Sequence, residues 1–249
     1  PNVRMKPSGI DWLDGDASTS SARGIPEHWE VKRLKFIAKI QFSNVNKKTE
    51  ENEIEVLLCN YVDVYNNEFI DSKLDFMKAT ATEREIDKFL VEKGDVIATK
   101  DSETPFDIAV PALVIEELKG VLCGYHLAQI KPNQDILLPE YLFRLFQAVN
   151  FNAHFIVRAN GVTRFGIGTD AFGDSIVPII PRDEQKKIVD YIQDSCNKID
   201  SLEKNIIVAI EKLKEYRTAL ITAAVTGKIL IPMGDERDFK PGKNEGETL

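Results

Sequence analysis

Apolar residues recur at helical spacing from Ile188 to Ala224, and neither Gly nor Pro interrupts this stretch before Gly227. The pattern predicts a single helix over residues 181–227, which Gly227 ends and Pro232 follows. At 1.5 Å per residue such a helix is a rod of roughly 65 Å, about twice the diameter of a small domain. We therefore expect it to project from the body of the protein and to bind a partner along its apolar side.

The apolar side of this helix has the seven-residue repeat of a coiled coil. One series begins with Ile192, Ile199 and Ile206, and a second series lies three residues after or four before its members. The predicted helix interface comprises Ile188, Ile192, Ile199, Leu202, Ile206, Leu213, Tyr216 and Leu220. The alternative is a hairpin folded back within one domain, but no Gly, Pro or turn cluster interrupts the repeat.

The preceding stretch, residues 24–180, contains short strand-like runs and two helical ones. Runs rich in β-branched or aromatic residues predict strands in "IEVLLC", "YVDVY", "DVIAT", "IAVPALVI", "GVLCGYHLAQI" and "DSIVPII". "TATEREIDKFL" predicts a helix with a capping box, and "PEYLFRLFQAVN" predicts another with Pro139 near its first position. "FGIGTDAFG" is interpreted as a turn-rich loop, because it lacks a βαβ frame. These signals predict an α+β domain with a curved sheet of mixed or antiparallel strands, followed by the one long coiled-coil helix.

Both ends of the chain are polar. Residues 1–23 include most of "DGDASTSSARG", which has nothing to bury and is interpreted as an N-terminal arm or linker. Residues 228–249, with "ILIPMGDERDFKPGKNEGETL", are predicted to be a mostly disordered tail. The globular domain is therefore expected within residues 24–180.

Composition places the chain among globular proteins, with 43% hydrophobic and 29% charged residues. No apolar run approaches the roughly 20 residues that span a bilayer. The three cysteines show neither a disulfide framework nor zinc-ligand spacing, so a cytoplasmic location is the simplest expectation. The net charge of −8 runs against the basic footprint of most nucleic-acid-binding proteins. DNA binding would then depend on local basic clusters, or on a partner that supplies phosphate contacts.

No residue pattern favours catalysis. A methyltransferase would need a Gly-rich cofactor loop after a strand and a tetrapeptide such as N-P-P-Y, and neither is present. Carboxylates and lysines in "VEKGDV" and "TKDSE" are of the type that serves a metal-dependent nuclease, but such common residues gather by chance. His28, His126 and His154 are far apart in the sequence, and no Ser or Cys has an evident base. We predict a chain that is not an enzyme and that holds no metal or cofactor of its own.

Polar clusters in the loops are the remaining candidates for function. Arg, Lys, Asn, Ser and Thr are the residue types that contact base edges and phosphates. The predicted DNA-binding residues are Lys47, Lys48, Lys100, Ser102, Thr104, Tyr125, Arg158, Asn160, Thr163 and Arg164. Each cluster could instead be an ordinary solvated loop. His126 is more readily explained as an internal hydrogen-bonding residue than as a base reader.

Four stretches resemble the DNA-specificity subunits of type I restriction-modification systems. They are "MKPSGIDWL" with "GIPEHWEVKRLKFIA", "GDVIATKDSETPFDIAVPALV" with "GVLCGYHLAQIKP", "ANGVTRFGI", and "PRDEQKKIVDYIQDSCNKIDSLEKNI" continuing to "ALITAAVTGKI". The resemblance covers most of residues 5–231. It implies a target-recognition domain that reads a short DNA half-site, followed by a helix that acts as a spacer.

The resemblance also implies partners. The usual subunit of this family has two recognition domains whose helices pack antiparallel, whereas one domain and one helix occur here, as in a half-subunit or a fragment. A half-subunit would dimerise through its helix and read an interrupted palindrome. Modification subunits would bind S-adenosylmethionine, methylate the double-stranded DNA and link the restriction subunit indirectly. The insertion "DGDASTSSAR", where the family passes directly to G-E-I-P, leaves the docking of residues 1–23 open.

Two other classes of function remain open at this point. A scaffold protein could use the same helix to oligomerise while its globular part binds protein. A free-standing nuclease would show metal-dependent cleavage by this chain alone. DNA binding in the presence of the modification subunits distinguishes the first class from a specificity subunit.

Overall fold

The computed structural model describes residues 5–6 and 25–229. Most of the predicted arm (1–23) and of the predicted tail (228–249) lies outside the described residues. The chain divides into two compact units, one ending at Ile192 and the other beginning at Gln193. No helix in the described part of the chain is both long and apolar enough to cross a membrane.

The elements are numbered here in chain order. The strands are β1 (Met5–Lys6), β2 (Ile25–Pro26), β3 (Glu30–Arg33), β4 (Ala38–Phe42), β5 (Ile54–Cys59), β6 (Phe69–Ile70), β7 (Met77–Ala81), β8 (Val96–Thr99), β9 (Asp101–Ser102), β10 (Pro111–Val114), β11 (Val121–Cys123), β12 (Leu127–Pro132), β13 (Phe165–Gly166) and β14 (Ile176–Ile179). The α-helices are α1 (Tyr61–Tyr65), α2 (Glu83–Phe89), α3 (Pro139–Gln147), α4 (Val149–Ile156), α5 (Thr169–Gly173) and α6 (Arg182–Val225). Short 3-10 turns occur at Leu34–Phe36 and Pro105–Asp107.

The first unit is built on a five-stranded sheet in the order β4-β12-β8-β10-β6. Neighbouring strands are antiparallel except for β10 and β6, which run parallel. A three-stranded sheet, β11-β5-β7, likewise combines a parallel pair with an antiparallel one. Pairs of short strands, β1-β2, β13-β9 and β14-β3, complete the pairing. Mixed sheets with helices between the strands confirm the predicted α+β class.

Hydrophobic cores cover both faces of the five-stranded sheet. Successive side chains of a strand point to opposite faces, so one strand can contribute to both cores. In β8, Val96 and Ala98 join one hydrophobic core, and Ile97 joins a second. The first core is rich in aromatic rings from α3, α4 and α5. Phe146 and Phe155 stack with ring centroids 5.3 Å apart, and Phe172 lies 4.9 Å from Phe155. A strand that is buried on both faces has a nearly continuous apolar run in its sequence, and "DVIAT" and "IAVPALVI" are runs of this kind.

Several sequence-predicted elements are confirmed. The capping box of α2 has the predicted form, with the Thr82 side chain accepting from the Glu85 N–H and the Thr82 N–H donating to the Glu85 carboxylate. The helix α3 begins at Pro139 as predicted. The strands predicted in "IEVLLC", "DVIAT", "IAVPALVI", "GVLCGYHLAQI" and "DSIVPII" correspond to β5, β8, β10, β11 with β12, and β14.

Three local predictions are wrong. "YVDVY" is the helix α1 and not a strand, because five residues are too few to fix a period and the Asn60 N–H is capped by Asp63 at 2.7 Å. "FGIGTDAFG" is not only loop, since it contains β13 and α5. The helix predicted to run from Pro139 to Asn150 ends at Gln147, where the extended backbone of Ala148 separates it from α4. That separate helix had no sequence prediction.

The long helix is confirmed as one continuous element of 44 residues, Arg182–Val225. It ends as predicted at Gly227, which has a φ of +71°. The Lys228 N–H donates to the Ala223 carbonyl and the Gly227 N–H to the Ala224 carbonyl, the two bonds of a Schellman motif. Glycine adopts this left-handed conformation without the Cβ penalty of other residues.

The first turns of α6 are fixed to the first unit by polar side chains. Gln185 is completely buried, and its amide donates to the carbonyls of Ile136 (2.8 Å) and Ile180 (2.9 Å) and accepts from the Leu138 N–H (2.8 Å). The adjacent Glu184 carboxylate accepts from the Trp29 indole at 3.1 Å and lies 2.8 Å from the His28 imidazole, which holds the pKa of Glu184 below its usual value. These contacts set where the long helix begins.

Candidate nucleic-acid interface

Helix α1 places two tyrosines side by side on the surface of the first unit. Tyr61 and Tyr65 are four residues apart on one face of the helix, and their rings stack with centroids separated by 5.5 Å. The Tyr61 hydroxyl lies 3.1 Å from the Ser102 hydroxyl, and the Tyr65 hydroxyl donates to Asp107 at 3.2 Å. Burial raises the pKa of Tyr61, and the bond to Asp107 raises that of Tyr65, so both hydroxyls are protonated at neutral pH.

The short strand β9, just after β8, pairs with the segment that contains Arg164. Strand β9 pairs with β13, with Ser102 opposite Phe165 and Asp101 opposite Gly166. A tight loop precedes β13, because Asn160 and Gly166 exchange two backbone hydrogen bonds of 2.9 Å. Gly161 in this loop has a φ of +151°, and a Cβ there would lie 1.9 Å from the Arg164 carbonyl oxygen. Only glycine fits that position, which fixes the direction in which the loop presents its side chains.

Asp101 joins two basic side chains from different segments. Its carboxylate lies 2.8 Å from Nδ1 of His126, and Nε of Arg164 donates to it at 3.0 Å. A second guanidinium nitrogen of Arg164, Nη2, also contacts Asp101 and lies 3.0 Å from Nδ1 of His126. Asp101 is 17% exposed while Arg164 is 54% exposed, so the carboxylate lies beneath the guanidinium. The three side chains form one polar cluster, which we call the Asp101 cluster.

Lys100 supports the neighbouring aromatic residue. Its ammonium donates to the Ser43 carbonyl at 3.1 Å and lies 4.5 Å from the ring centroid of Tyr125. Burial lowers the pKa of this lysine. The ring of Tyr125 in turn meets that of His126 edge to face, with centroids 4.8 Å apart. Lys100 therefore positions Tyr125 from below, while the Tyr125 ring itself is about half exposed.

These groups surround an open cleft of about 460 Å³ in the first unit, which we call the polar cleft. Its lining consists of Lys47, Tyr61, Val62, Tyr65, Ser102, Glu103, Thr104, Asp107, His126 and Arg164. A smaller depression of about 110 Å³ shares Lys47, Tyr61 and His126 with it and adds Tyr125 to the walls. The cleft combines two cationic groups and two carboxylates with hydroxyls and exposed aromatic rings. Cationic groups, hydroxyls and rings are the groups that contact phosphates and bases.

The structure brings together part of the predicted DNA-binding set. Lys47, Ser102, Thr104 and Arg164 line the polar cleft, Tyr125 lines its smaller neighbour, and Lys100 lies beneath Tyr125. Ser102 is 7% exposed and is engaged with Tyr61, so its hydroxyl belongs to the floor. The Thr104 side chain accepts from the Phe106 N–H and thereby caps a 3-10 turn.

The other four predicted residues do not line the cleft. They are Lys48, Arg158, Asn160 and Thr163, and all four are exposed. Arg158 contacts His154, with 3.0 Å between its Nη1 and Nδ1 of the imidazole, and burial lowers the pKa of that histidine. The Asn160 side chain donates to the Arg158 carbonyl at 2.8 Å and stabilises the loop.

Sequence reasoning missed several cleft residues. Tyr61 and Tyr65 were not predicted as site residues, because "YVDVY" was interpreted as a strand. A strand would also place the two tyrosines on one face, but nothing in that interpretation indicated a cleft. Asp101 was considered only as one of several scattered carboxylates. The prediction that His126 is an internal hydrogen-bonding residue is confirmed by its contact with Asp101. No group of three or more potential metal ligands occurs among the described residues.

Comparison with known proteins decides the family. The sequence profile of the type I restriction modification DNA specificity domain matches residues 26–212, which is most of the chain. The chain belongs to this DNA specificity domain family. Specificity subunits of type I restriction-modification systems are non-catalytic, and membership of the family supports the prediction that this chain is not an enzyme.

A curated relative of this specificity family extends the comparison. The type I restriction enzyme MjaX specificity subunit of Methanocaldococcus jannaschii is 25% identical over 234 residues, which cover 87% of this chain and 54% of that protein. The chain therefore spans about half the length of the curated relative that it matches.

Solved structures of type I systems show the same fold. The HsdS subunit from Thermoanaerobacter tengcongensis has a TM-score of 0.53 and 18% identity, with 86% of this chain and 53% of that chain covered. A chain from a study of complex assembly and conformational transition of the type I R-M system has a TM-score of 0.61 and 14% identity, with 83% and 48% covered. In both cases the match covers about half of the solved chain.

Proposed function

We propose that this chain reads a DNA half-site for a type I restriction-modification complex, and that the polar cleft is the surface that contacts the DNA. The observation that carries the proposal is the convergence of Lys47, Tyr61 and Arg164 on the polar cleft from three separate segments, with Tyr125 in the smaller depression beside it. A specificity domain must offer donors, acceptors and flat rings on one side, and this cleft does so. Family membership supplies the independent argument for DNA.

The net charge of −8 fits a role within a larger complex. Most affinity for DNA comes from phosphate neutralisation by basic groups, which this chain lacks in excess. Modification subunits that bind the duplex alongside it would supply those contacts, together with S-adenosylmethionine and the methyltransferase activity. This chain would then direct the complex to a particular DNA sequence, and would guide the restriction subunit indirectly.

The long helix is proposed as the contact between two copies of this chain. Ile199, Leu202, Ile206, Leu213 and Tyr216 are each about 60% exposed or more, in the seven-residue repeat of a coiled coil. Ile188, the first predicted interface residue, instead packs against the hydrophobic core of the first unit, and Ile192 is half-buried. A two-fold dimer through the exposed repeat would present two identical recognition domains, so its DNA site would be an interrupted palindrome.

The alternatives are separated by simple measurements. A scaffold protein would show no sequence preference when DNA binding is measured with the modification subunits, competitor duplexes and increasing salt. A nuclease would cleave DNA with a divalent cation and no other subunit. The proposed function predicts sequence-selective binding by the complex and no cleavage by the chain alone.

Replacing both Arg158 and Arg164 with alanine tests the interface. Arg164 lines the polar cleft and Arg158 is exposed in the segment that leads to it. We expect target methylation by the assembled complex to fall, with roughly 1–3 kcal/mol lost for a base-contacting arginine and a lower salt slope for a phosphate-contacting one. The measurement is methylation of a duplex that contains the target, at several salt concentrations.

Arg84→Ala with Lys93→Ala is the matched control for that experiment. Both side chains are exposed and neither lines the cleft, so their loss removes the same two positive charges elsewhere on the domain. Methylation by this control is expected to equal that of the unchanged protein. If the Arg158 and Arg164 double variant also methylates the target normally, the polar cleft is not the DNA interface.

A further inference from the structure

One edge of the Arg164 guanidinium is hydrogen-bonded to a carboxylate, and the nitrogen farthest from that carboxylate is not. Its Nε donates to Asp101 at 3.0 Å, and its Nη2 contacts the same carboxylate. Its Nη1 has no hydrogen-bond partner among residues 25–229, although the side chain lines the polar cleft. A guanidinium has five N–H donors in a rigid plane, so fixing one edge also fixes the direction of the opposite one. The two hydrogens of Nη1 are therefore a pre-oriented pair of donors.

His126 determines how many of these donors remain available. Its Nδ1 lies 2.8 Å from Asp101 and 3.0 Å from Nη2 of Arg164. The same nitrogen cannot donate to the carboxylate and accept from the guanidinium at once. With the proton on Nδ1 donated to Asp101, the acceptor left on the ring is Nε2, which lies 3.5 Å from Nη2. Nη2 is then directed at Asp101 and His126, and Nη1 keeps both of its hydrogens for a ligand in the cleft.

The charge in the cluster favours a base edge over a phosphate as the ligand of Arg164. Asp101 is mostly buried and carries the counter-charge of the guanidinium, which weakens the attraction of a phosphate for it. Hydrogen-bond donation to an uncharged acceptor does not depend on net charge in the same way. Among the bases, guanine offers two acceptors side by side in the major groove, O6 and N7, whereas adenine sets an amino group beside N7.

We propose that Arg164, positioned by Asp101 and His126, donates to O6 and N7 of a guanine in the DNA half-site. The inference rests on the proposed function, since it names the base that the proposed interface reads at one position. Asp101 and His126 act here as positioning residues that do not touch the DNA. Ser102 and Tyr61, joined at 3.1 Å on the floor of the cleft, keep β9 and α1 in place around the arginine.

The test replaces N7 of the guanine by a C–H group and measures whether Arg164 responds to the change. The target is first identified from methylated DNA, and each guanine of the half-site is replaced in turn by 7-deazaguanine, which pairs normally but lacks N7. Binding to these duplexes is measured with the full chain and its modification subunits. For the unchanged chain, one substitution is expected to weaken binding by about tenfold, within the range found for specific base contacts.

Three variants assign that effect to the cluster. In Arg164→Ala the same 7-deazaguanine substitution should change affinity by less than about twofold, because the two changes remove one contact. Arg164→Lys keeps the charge but not the paired geometry, and should also lose the coupling while binding unrelated DNA as before. Asp101→Asn should reduce the coupling in part, since a neutral amide orients the guanidinium less firmly. His126 remains in place in all three.

The outcomes separate the inference from the proposed function. If the unchanged complex binds no sequence selectively, the proposed function fails and the inference fails with it. If it binds selectively, but every 7-deazaguanine duplex loses the same factor with Arg164→Ala as with arginine present, the proposed function stands and the guanine contact is overturned. If Arg164→Ala lowers the affinity for the target and for unrelated DNA by the same factor, the arginine contacts a phosphate and the inference is likewise overturned.

Discussion

Replacing both Ile199 and Ile206 with aspartate is expected to convert the proposed dimer of this chain to a monomer. The two side chains are 62% and 59% exposed in the single chain, at equivalent positions of the seven-residue repeat. In a dimer they would be buried, and each isoleucine contributes about 1.5–3 kcal/mol when it leaves water. Because each side chain is only about 60% exposed to begin with, four of them place the loss at roughly 4–7 kcal/mol, before any repulsion between carboxylates. The dissociation constant would rise by roughly a thousand-fold or more.

Light scattering at two or more protein concentrations measures this effect. The control is Asn197→Asp with Ser201→Asp, which adds the same two negative charges at exposed positions outside the repeat. The control should keep the mass of the unchanged protein. Equal masses for the repeat variant and the unchanged protein would show that Ile199 and Ile206 do not hold two chains together.

Gln185→Leu is expected to destabilise the first unit by about 3 kcal/mol or more. The amide of Gln185 satisfies two carbonyls and one N–H, all in a fully buried position at the start of α6. Leucine fills a similar volume but leaves those three backbone groups without partners, and each costs about 1–3 kcal/mol when buried. Stability would be lost where the chain passes from the recognition domain into the long helix.

Chemical denaturation followed by circular dichroism and by tryptophan fluorescence gives the change in the free energy of unfolding. Gln134→Leu is the matched control, because it makes the same substitution at an exposed position. That control should alter stability by less than about 0.5 kcal/mol. A Gln185→Leu protein with the stability of the control would mean that the buried amide is not what anchors the helix.

The long helix could be predicted from sequence because its signal is repeated many times. About nine helical turns of alternating spacing, from Ile188 to Leu220, all indicate one element, and Gly227 supplies a local stop. Capping boxes are similarly local, which explains why Thr82 with Glu85 was found. In each case the deciding residues lie within a few positions of one another.

The polar cleft could be predicted only in part, because tertiary contacts between distant segments create it. The pairing of β9 with β13 brings Asp101 close to Arg164, which is 63 positions away in the sequence. No local sequence pattern predicts that pair. Arg164, Ser102 and Lys100 were found from residue type alone, and their different positions in the wall of the cleft, on its floor and beneath Tyr125 were not. Tyr61 and Tyr65 were missed because five residues of alternating apolarity suit a strand as well as a helix.

The division of labour within the molecule follows from these observations. The first unit contains the polar cleft and the buried amide of Gln185, and the second contains most of the exposed repeat. Recognition of bases and association of chains would therefore be altered by separate substitutions. Arg164 variants should leave the oligomeric mass in solution unchanged. The double variant of Ile199 and Ile206 should leave the polar cleft folded.

Mapping methylated adenines in DNA from cells that carry the modification subunits, with and without this chain, tests the central claim most directly. The account predicts methylation at one interrupted palindrome, with two identical half-sites, only when the chain is present. Methylation of the same sites in the absence of the chain would contradict its role as the sequence reader. A methylated site with two unrelated half-sites would contradict the dimer of identical recognition domains.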